Sequence, residues 1–294
     1  MSYEPHEQLV APARNASELW RVCAGAPLIF FAYGLLAFAY FEALRALAGP
    51  MGDRLVISAI DGETPLDMGI LLLSFATLTA ALALVLQGLH QRRLRSLIGS
   101  TPTAVSDGLK TLGVLALLFA LIAILPPYGL GDLEPVENLE FSTWLIWLPA
   151  GLILVFIQIS AEELVFRGYL QSQLAARFNS PLIWIGVPSL IFGALHYDAQ
   201  AGDNAAFIAL WAVAFGVAAA DLTARTGTLG AAFALHFANN VAALMITGVR
   251  DTLDGLALQV YPISIDDAAI SHLLWIDGAL IFVSWLAIRV VLRV

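Results

Sequence analysis

Residues 143–173 read TWLIWLPAGLILVFIQISAEELVFRGYLQSQ, a run long and apolar enough to cross a bilayer that nevertheless carries Glu162, Glu163 and Arg167 in its second half. A hydrocarbon core about 30 Å thick is crossed by about 20 apolar helical residues. A carboxylate or guanidinium at that depth costs roughly 2.5–3.5 kcal/mol on insertion scales, so such groups face a bundle interior or a water-filled cavity and mark a site. The stretch reads as one helix of a polytopic membrane protein with a polar centre.

The rest of the chain agrees. Of 294 residues 60% are hydrophobic and only 13% charged, with a mean hydropathy of +0.82, more than a soluble domain needs for its core. Eight stretches qualify as membrane helices, near 26–48, 67–89, 109–128, 143–173, 181–197, 205–224, 228–248 and 272–292. The expected fold is all-α, a bundle of about eight transmembrane helices around an intramembrane catalytic cavity. The first 20 residues are polar and carry Glu4, Glu7 and Glu18 where an apolar leader core would begin, so no cleavable signal peptide is expected. Cys23 is the sole cysteine, which excludes an internal disulfide and a thiolate metal cluster. The net charge of -9 excludes a phosphate-neutralising face, and nucleic acid is not an expected partner.

Sidedness follows from the basic residues. With eight helices and both termini in the cytoplasm, Arg14, Arg21, Arg92, Arg93, Arg95, Lys110, Arg167, Arg177, Arg225, Arg289 and Arg293 fall on the cytoplasmic side. Acids gather on the other, among them Asp61, Glu63, Asp132, Glu134, Glu137, Glu140 and Asp254. The organisation expected is a cytoplasmic tail over 1–25, N-terminal membrane helices over 26–142, a catalytic core over 143–248, and an outer loop with the last helix over 249–294. Beyond the acids, the fourth stretch is expected to leave the membrane as an amphipathic end, YLQSQLAARF.

Spacing decides whether the costly residues can meet. Glu162 lies seventeen residues before Asn179 and His196 seventeen after it, so an antiparallel hairpin turning there sets them at similar depth. His236 and Asn240 are four apart, on one face of a further helix. Three helices thus bring two carboxylates, two imidazoles and a carboxamide to one layer. Each has a structural alternative: Glu163 and Arg167 can neutralise each other at i, i+4, His196 can be an interfacial residue, and Asn240 can join helices. Glu162 has no basic residue at i+3 or i+4 to explain it. His6, His90 and His272 lie in or near loops and receive no role.

The run Glu162-Glu163-Leu-Val-Phe-Arg167 resembles the EExxxR motif of the CPBP intramembrane proteases, the CAAX protease and bacteriocin-processing (Abi) family. Phe192-Gly-Ala-Leu-His196 resembles its FxxxH motif and His236-Phe-Ala-Asn-Asn240 its HxxxN motif. The likeness covers about residues 143–248, in the family's order, each motif on its own helix. It implies an endopeptidase that hydrolyses a peptide bond in a membrane-associated or hydrophobic, CAAX-like peptide. Glu162 would activate the water with His196 beside it, His236 and Asn240 would stabilise the oxyanion, and Glu163, Arg167 and Phe192 would support them. Amide hydrolysis needs these two services, a base for water and donors where negative charge develops.

A metal-free, glutamate-dependent mechanism is favoured, so no cofactor is expected. The alternative is a Zn2+ held by Glu162, His196 and His236 with one open position. Two other functions stay open: a proton-coupled transporter, since paired carboxylates with histidines also build proton relays, and a non-catalytic immunity or scaffold protein. The expected surroundings are the lipid bilayer of a bacterial inner membrane and a membrane-associated peptide or protein substrate.

Overall fold

A computed structural model describes residues 3–125 and 133–294 of the chain. In hydrocarbon an apolar segment can satisfy its backbone by itself only as a helix, and all eight expected stretches are helical. We number the main helices α1 (Leu19–Ala48), α2 (Gly52–Asp61), α3 (Pro65–His90), α4 (Thr101–Ile124), α5 (Phe141–Arg177), α6 (Pro181–Leu195), α7 (Ala205–Thr226), α8 (Gly230–Ile246) and α9 (Ala269–Leu292). Among the described residues six stretches are long and apolar enough to cross a membrane, α1 and α2 forming one of them, while α6 and α8 are shorter. Asp132 and the end of the third expected stretch lie outside the described residues.

α5 occupies the centre, packed on α3 and α8, with its second half against α6 and α7. α8 also lies along α4, and α9 closes the bundle against α4 and α7. Small residues permit the tight crossings. A Cβ at Gly193 of α6 would stand 2.6 Å from the Ala209 carbonyl oxygen of α7, so this backbone approach needs glycine.

At one end the connections are knitted together by a small sheet. Its strands are β1 (Val136–Glu137), β2 (Thr247–Val249) and β3 (Gln259–Tyr261), in the order β1-β3-β2, with β3 antiparallel to β1 and parallel to β2. Trp144 donates its indole N–H to the Met245 carbonyl at 2.7 Å, and Asn138 bonds the carbonyls of Asp254 and Ala257. The start of α5 and the end of α8 are thereby held together.

At the opposite end the N-terminal residues pack onto the bundle. Residues 4–16 form short turns whose Leu9, Val10, Ala13 and Ala16 are buried. Tyr3 donates its hydroxyl to Asp221 at 2.8 Å, and His6 stacks on Trp184 with centroids 4.9 Å apart. Gly227, at φ +70°, ends α7 in a conformation that favours glycine, and its missing Cβ makes room for the Pro5 carbonyl.

The YLQSQ part of the expected amphipathic end of α5 is interior rather than solvated. Residues 163–174 are all buried, and Gln171, Ser172 and Gln173 have no exposure. Gln171 donates to the Ala220 carbonyl at 3.0 Å, Ser172 to the Gly168 carbonyl at 2.5 Å, and Gln173 pairs with His90 at 3.0 Å. These polar side chains serve interior partners, as burial demands.

Candidate active site

α5 changes helical form where the charges stand. Phe141–Glu163 is α-helical and Leu164–Gln171 is π-helical. A π turn bonds i to i+5 and takes up an extra residue, a distortion that recurs at functional sites because it re-aims side chains. Glu162 and Glu163 are the last two residues before the change, and their side chains part company there.

Glu163 points into the protein and has no exposure. Its Oε1 accepts from Arg167 Nη1 at 2.8 Å and bonds His236 Nδ1 at 2.7 Å. Arg167, itself 2% exposed, lies with its guanidinium 4.6 Å from the centre of the Phe192 ring. Two buried charges here share one ion pair and an aromatic face, which offsets part of their desolvation.

Glu162 is less enclosed, its side chain 13% exposed. Gln158, one turn earlier on α5, donates to Glu162 Oε1 at 2.6 Å. Asn240 of α8 in turn donates to Gln158 Oε1 at 2.8 Å. Glu162 Oε2 makes no hydrogen bond and lies 3.7 Å from His236 Nε2. That separation is too long for a direct bond, and Oε2 is itself buried.

His236 stands between the two carboxylates. An ionised Glu163, already accepting from Arg167, can only accept again, so His236 Nδ1 carries the proton of that contact. Nε2 is left facing Glu162. The ring is walled by Phe215 at 4.9 Å and Phe192 at 6.1 Å, both edge-on. Buried aromatic packing and one strong hydrogen bond fix its orientation.

His196 follows the last residue of α6, and its Nδ1 bonds the Phe192 carbonyl at 2.8 Å. Its ring lies 4.4 Å from that of Phe192, which also contacts Phe166, Phe215, Arg167 and His236. Two hydrogen-bonded sets, Glu162–Gln158–Asn240 and Arg167–Glu163–His236, thus face each other across the 3.7 Å between Glu162 Oε2 and His236 Nε2, and His196 reaches the second through the Phe192 ring. The set Glu162, His196 and His236 named for Zn2+ is not gathered as ligands. Among the described residues no three His, Cys, Asp or Glu side chains meet as a metal group.

Gln158 was missed by sequence reasoning. Its signal was a carboxamide in the apolar run LILVFIQIS, one turn before Glu162. A second missed feature lies closer to the N-terminal turns, where His90 Nε2 bonds the Tyr169 hydroxyl at 2.9 Å and Arg92 donates to Ser172 at 3.2 Å. His90 is therefore a buried structural residue.

Comparison with known proteins places Gln158, Glu162, Glu163, Arg167, His196, His236 and Asn240 inside one matched segment. Residues 142–242 match the family model described as type II CAAX prenyl endopeptidase Rce1-like. The uncharacterized protein YyaK of Bacillus subtilis (strain 168) is 30% identical over 125 residues. That match covers 42% of this chain and 42% of the relative, so less than half of the relative's length is spanned. No solved structure matches the chain.

Proposed function

We propose that the chain, whose residues 142–242 match the Rce1-like family model, is an intramembrane endopeptidase in which Glu162 activates a water against a peptide bond. Its substrate would be a membrane-associated or hydrophobic, CAAX-like peptide, entering from the bilayer of a bacterial inner membrane with both chain termini cytoplasmic. The observation that carries the reading is the division of labour between adjacent carboxylates. Glu163 is fully buried and engaged twice through Oε1, whereas Glu162 is 13% exposed and sets its Oε2 3.7 Å from His236 Nε2; among the described residues the second oxygen of each carboxylate is buried and unbonded.

In this mechanism a water beside Glu162 Oε2 loses a proton to the carboxylate while its oxygen attacks the scissile carbonyl carbon. His236, protonated and balanced by Glu163, donates from Nε2 to the developing oxyanion. Asn240 gives one amide N–H to Gln158 and keeps the other for the same oxygen. Glu162 then returns its proton to the leaving nitrogen as the C–N bond breaks. His196, with Nδ1 tied to Phe192, has Nε2 free for the attacking water. Arg167 holds Glu163 in place through the 2.8 Å ion pair.

The test is cleavage by the purified protein in native-like membranes, with a Glu162→Gln variant used to trap substrate. Loss of about 100- to 10,000-fold in rate with an unchanged melting temperature is the expected outcome for removal of a general base. Wild-type cleavage by Glu162→Gln would overturn the assignment.

A further inference from the structure

The loop between α3 and α4 carries three arginines in four residues, Arg92, Arg93 and Arg95. Arg92 is buried, 5% exposed, yet all its hydrogen-bond partners are neutral: Ser96 Oγ and Ser172 Oγ at 3.2 Å, and the carbonyls of Leu9 and Ser96 at 3.4 Å. Among the described residues no carboxylate pairs with Arg92, Arg93 or Arg95. A buried cation without a counter-charge is costly, and burial pushes Arg92 down to about 10.

Beside it lies a cavity of about 550 Å3 lined by the three arginines, Asn15, Gly99 and Thr101, with no acid in its wall. Gly99, at φ +82°, turns the chain into α4, and Thr101 is the first residue of that 24-residue helix. The Ser100 side chain does not cap the helix, Pro102 has no N–H and the Ala104 N–H bonds the Ser100 carbonyl at 2.8 Å, so the Thr101 and Thr103 N–H groups are the ones left at the positive end of its dipole. Topogenic positive charge accounts for exposed Arg93 and Arg95. It does not account for a third, buried arginine at the edge of a cavity.

We propose that this cavity binds a phosphate group, with Arg93 and Arg95 as its clamp and the N-terminus of α4 as its floor. Planar guanidinium forks match phosphate oxygens, and Arg92 supplies the fixed charge behind them. The loop joins two membrane-type helices, so the phosphate can come from a phospholipid headgroup or from solution; the chemistry is shared. Because Arg92 also holds the Leu9 carbonyl and Ser172, an occupied site secures residues 4–16 to α5.

The experiment uses the full-length protein in nanodiscs of phosphatidylcholine, with two arms: titration with inorganic phosphate, and replacement of part of the lipid by phosphatidylglycerol. The readouts are the melting temperature and lipid retained in native mass spectrometry. The wild type should be stabilised by several degrees, and the double variant Arg93→Gln/Arg95→Gln should bind at least tenfold more weakly. A response to phosphatidylglycerol alone assigns the site to a headgroup, and one to phosphate alone assigns it to a free anion. Equal responses of wild type and double variant overturn the proposal. So does an equal loss in the charge-matched control Lys110→Gln/Arg177→Gln, which leaves the cavity intact.

Discussion

His236 bonds Glu163 through Nδ1 at 2.7 Å, the only hydrogen bond its ring makes among the described residues, and that contact ties α8 to α5 at the centre of the bundle. The imidazole is therefore aimed from behind by one carboxylate and presented to the other. Replacing either glutamate should have a different consequence, although the two are neighbours in sequence.

Glu163→Gln is expected to destabilise the protein by about 3–5 kcal/mol, because Arg167 is left buried without its counter-ion. Glu162→Gln should leave stability within about 1 kcal/mol and remove activity, since only a partly open carboxylate is exchanged. Thermal unfolding of the two variants in detergent, read beside cleavage, separates the roles. Equal melting temperatures for both variants would contradict them.

Gln158→Leu should reduce kcat by up to about 100-fold, because Glu162 loses its 2.6 Å donor and Asn240 loses its acceptor. Gln158 is a positioning residue, so KM should hold while the pH profile of kcat moves. A variant with unchanged kcat and pH profile would reduce Gln158 to packing.

Tyr169→Phe should cost about 1–3 kcal/mol, since it strands His90 Nε2 in a site with no exposure at Tyr169. Its catalytic rate should be that of the wild type. A chemical-denaturation midpoint identical to the wild type's would show that the bond contributes nothing.

Docking of residues 4–16 should weaken in acid. Burial against Trp184 lowers His6 from its ordinary 6.5 to about 4, so the folded state favours the neutral ring. Above pH 6.5 both states are neutral and the docked segment keeps its full stability; between pH 6.5 and about 4 the undocked ring takes a proton first and draws the equilibrium outward. Glu4, Glu7 and Arg14 are the other charged groups that line the adjoining cavity of about 460 Å3. Histidine NMR, assigned with His6→Phe, should show a midpoint near 4 for His6. A midpoint at 6.5 would mean the ring is not buried in solution.

The sequence disclosed the helices well because membrane burial is written in long apolar runs. Glu163 with Arg167, and His236 with Asn240, were legible as pairs because four residues make one turn. Beyond such local spacings it was silent. Nothing in LVFRGYLQ announces a π-helix, since the change is one of hydrogen-bond register and leaves composition alone. Gln171, Ser172 and Gln173 looked like a solvated face because their partners, the Ala220 carbonyl, Arg92 and His90, come from 49 to 83 residues away. The docking of Tyr3 on Asp221, 218 residues apart, was hidden for the same reason.

The contact between Glu163 and His236 also constrains how the protein is made. Seventy-three residues separate them, so α5 is synthesised and offered to the membrane long before α8 exists. During that interval Glu163 has only Arg167, on its own helix, to temper its charge, and Glu162 has only Gln158. A helix so burdened gains little by partitioning alone into lipid. Biogenesis should therefore hold α5 beside the insertion machinery until α6, α7 and α8 arrive, and chains truncated before Gly230 should be poorly integrated and become substrates for quality control.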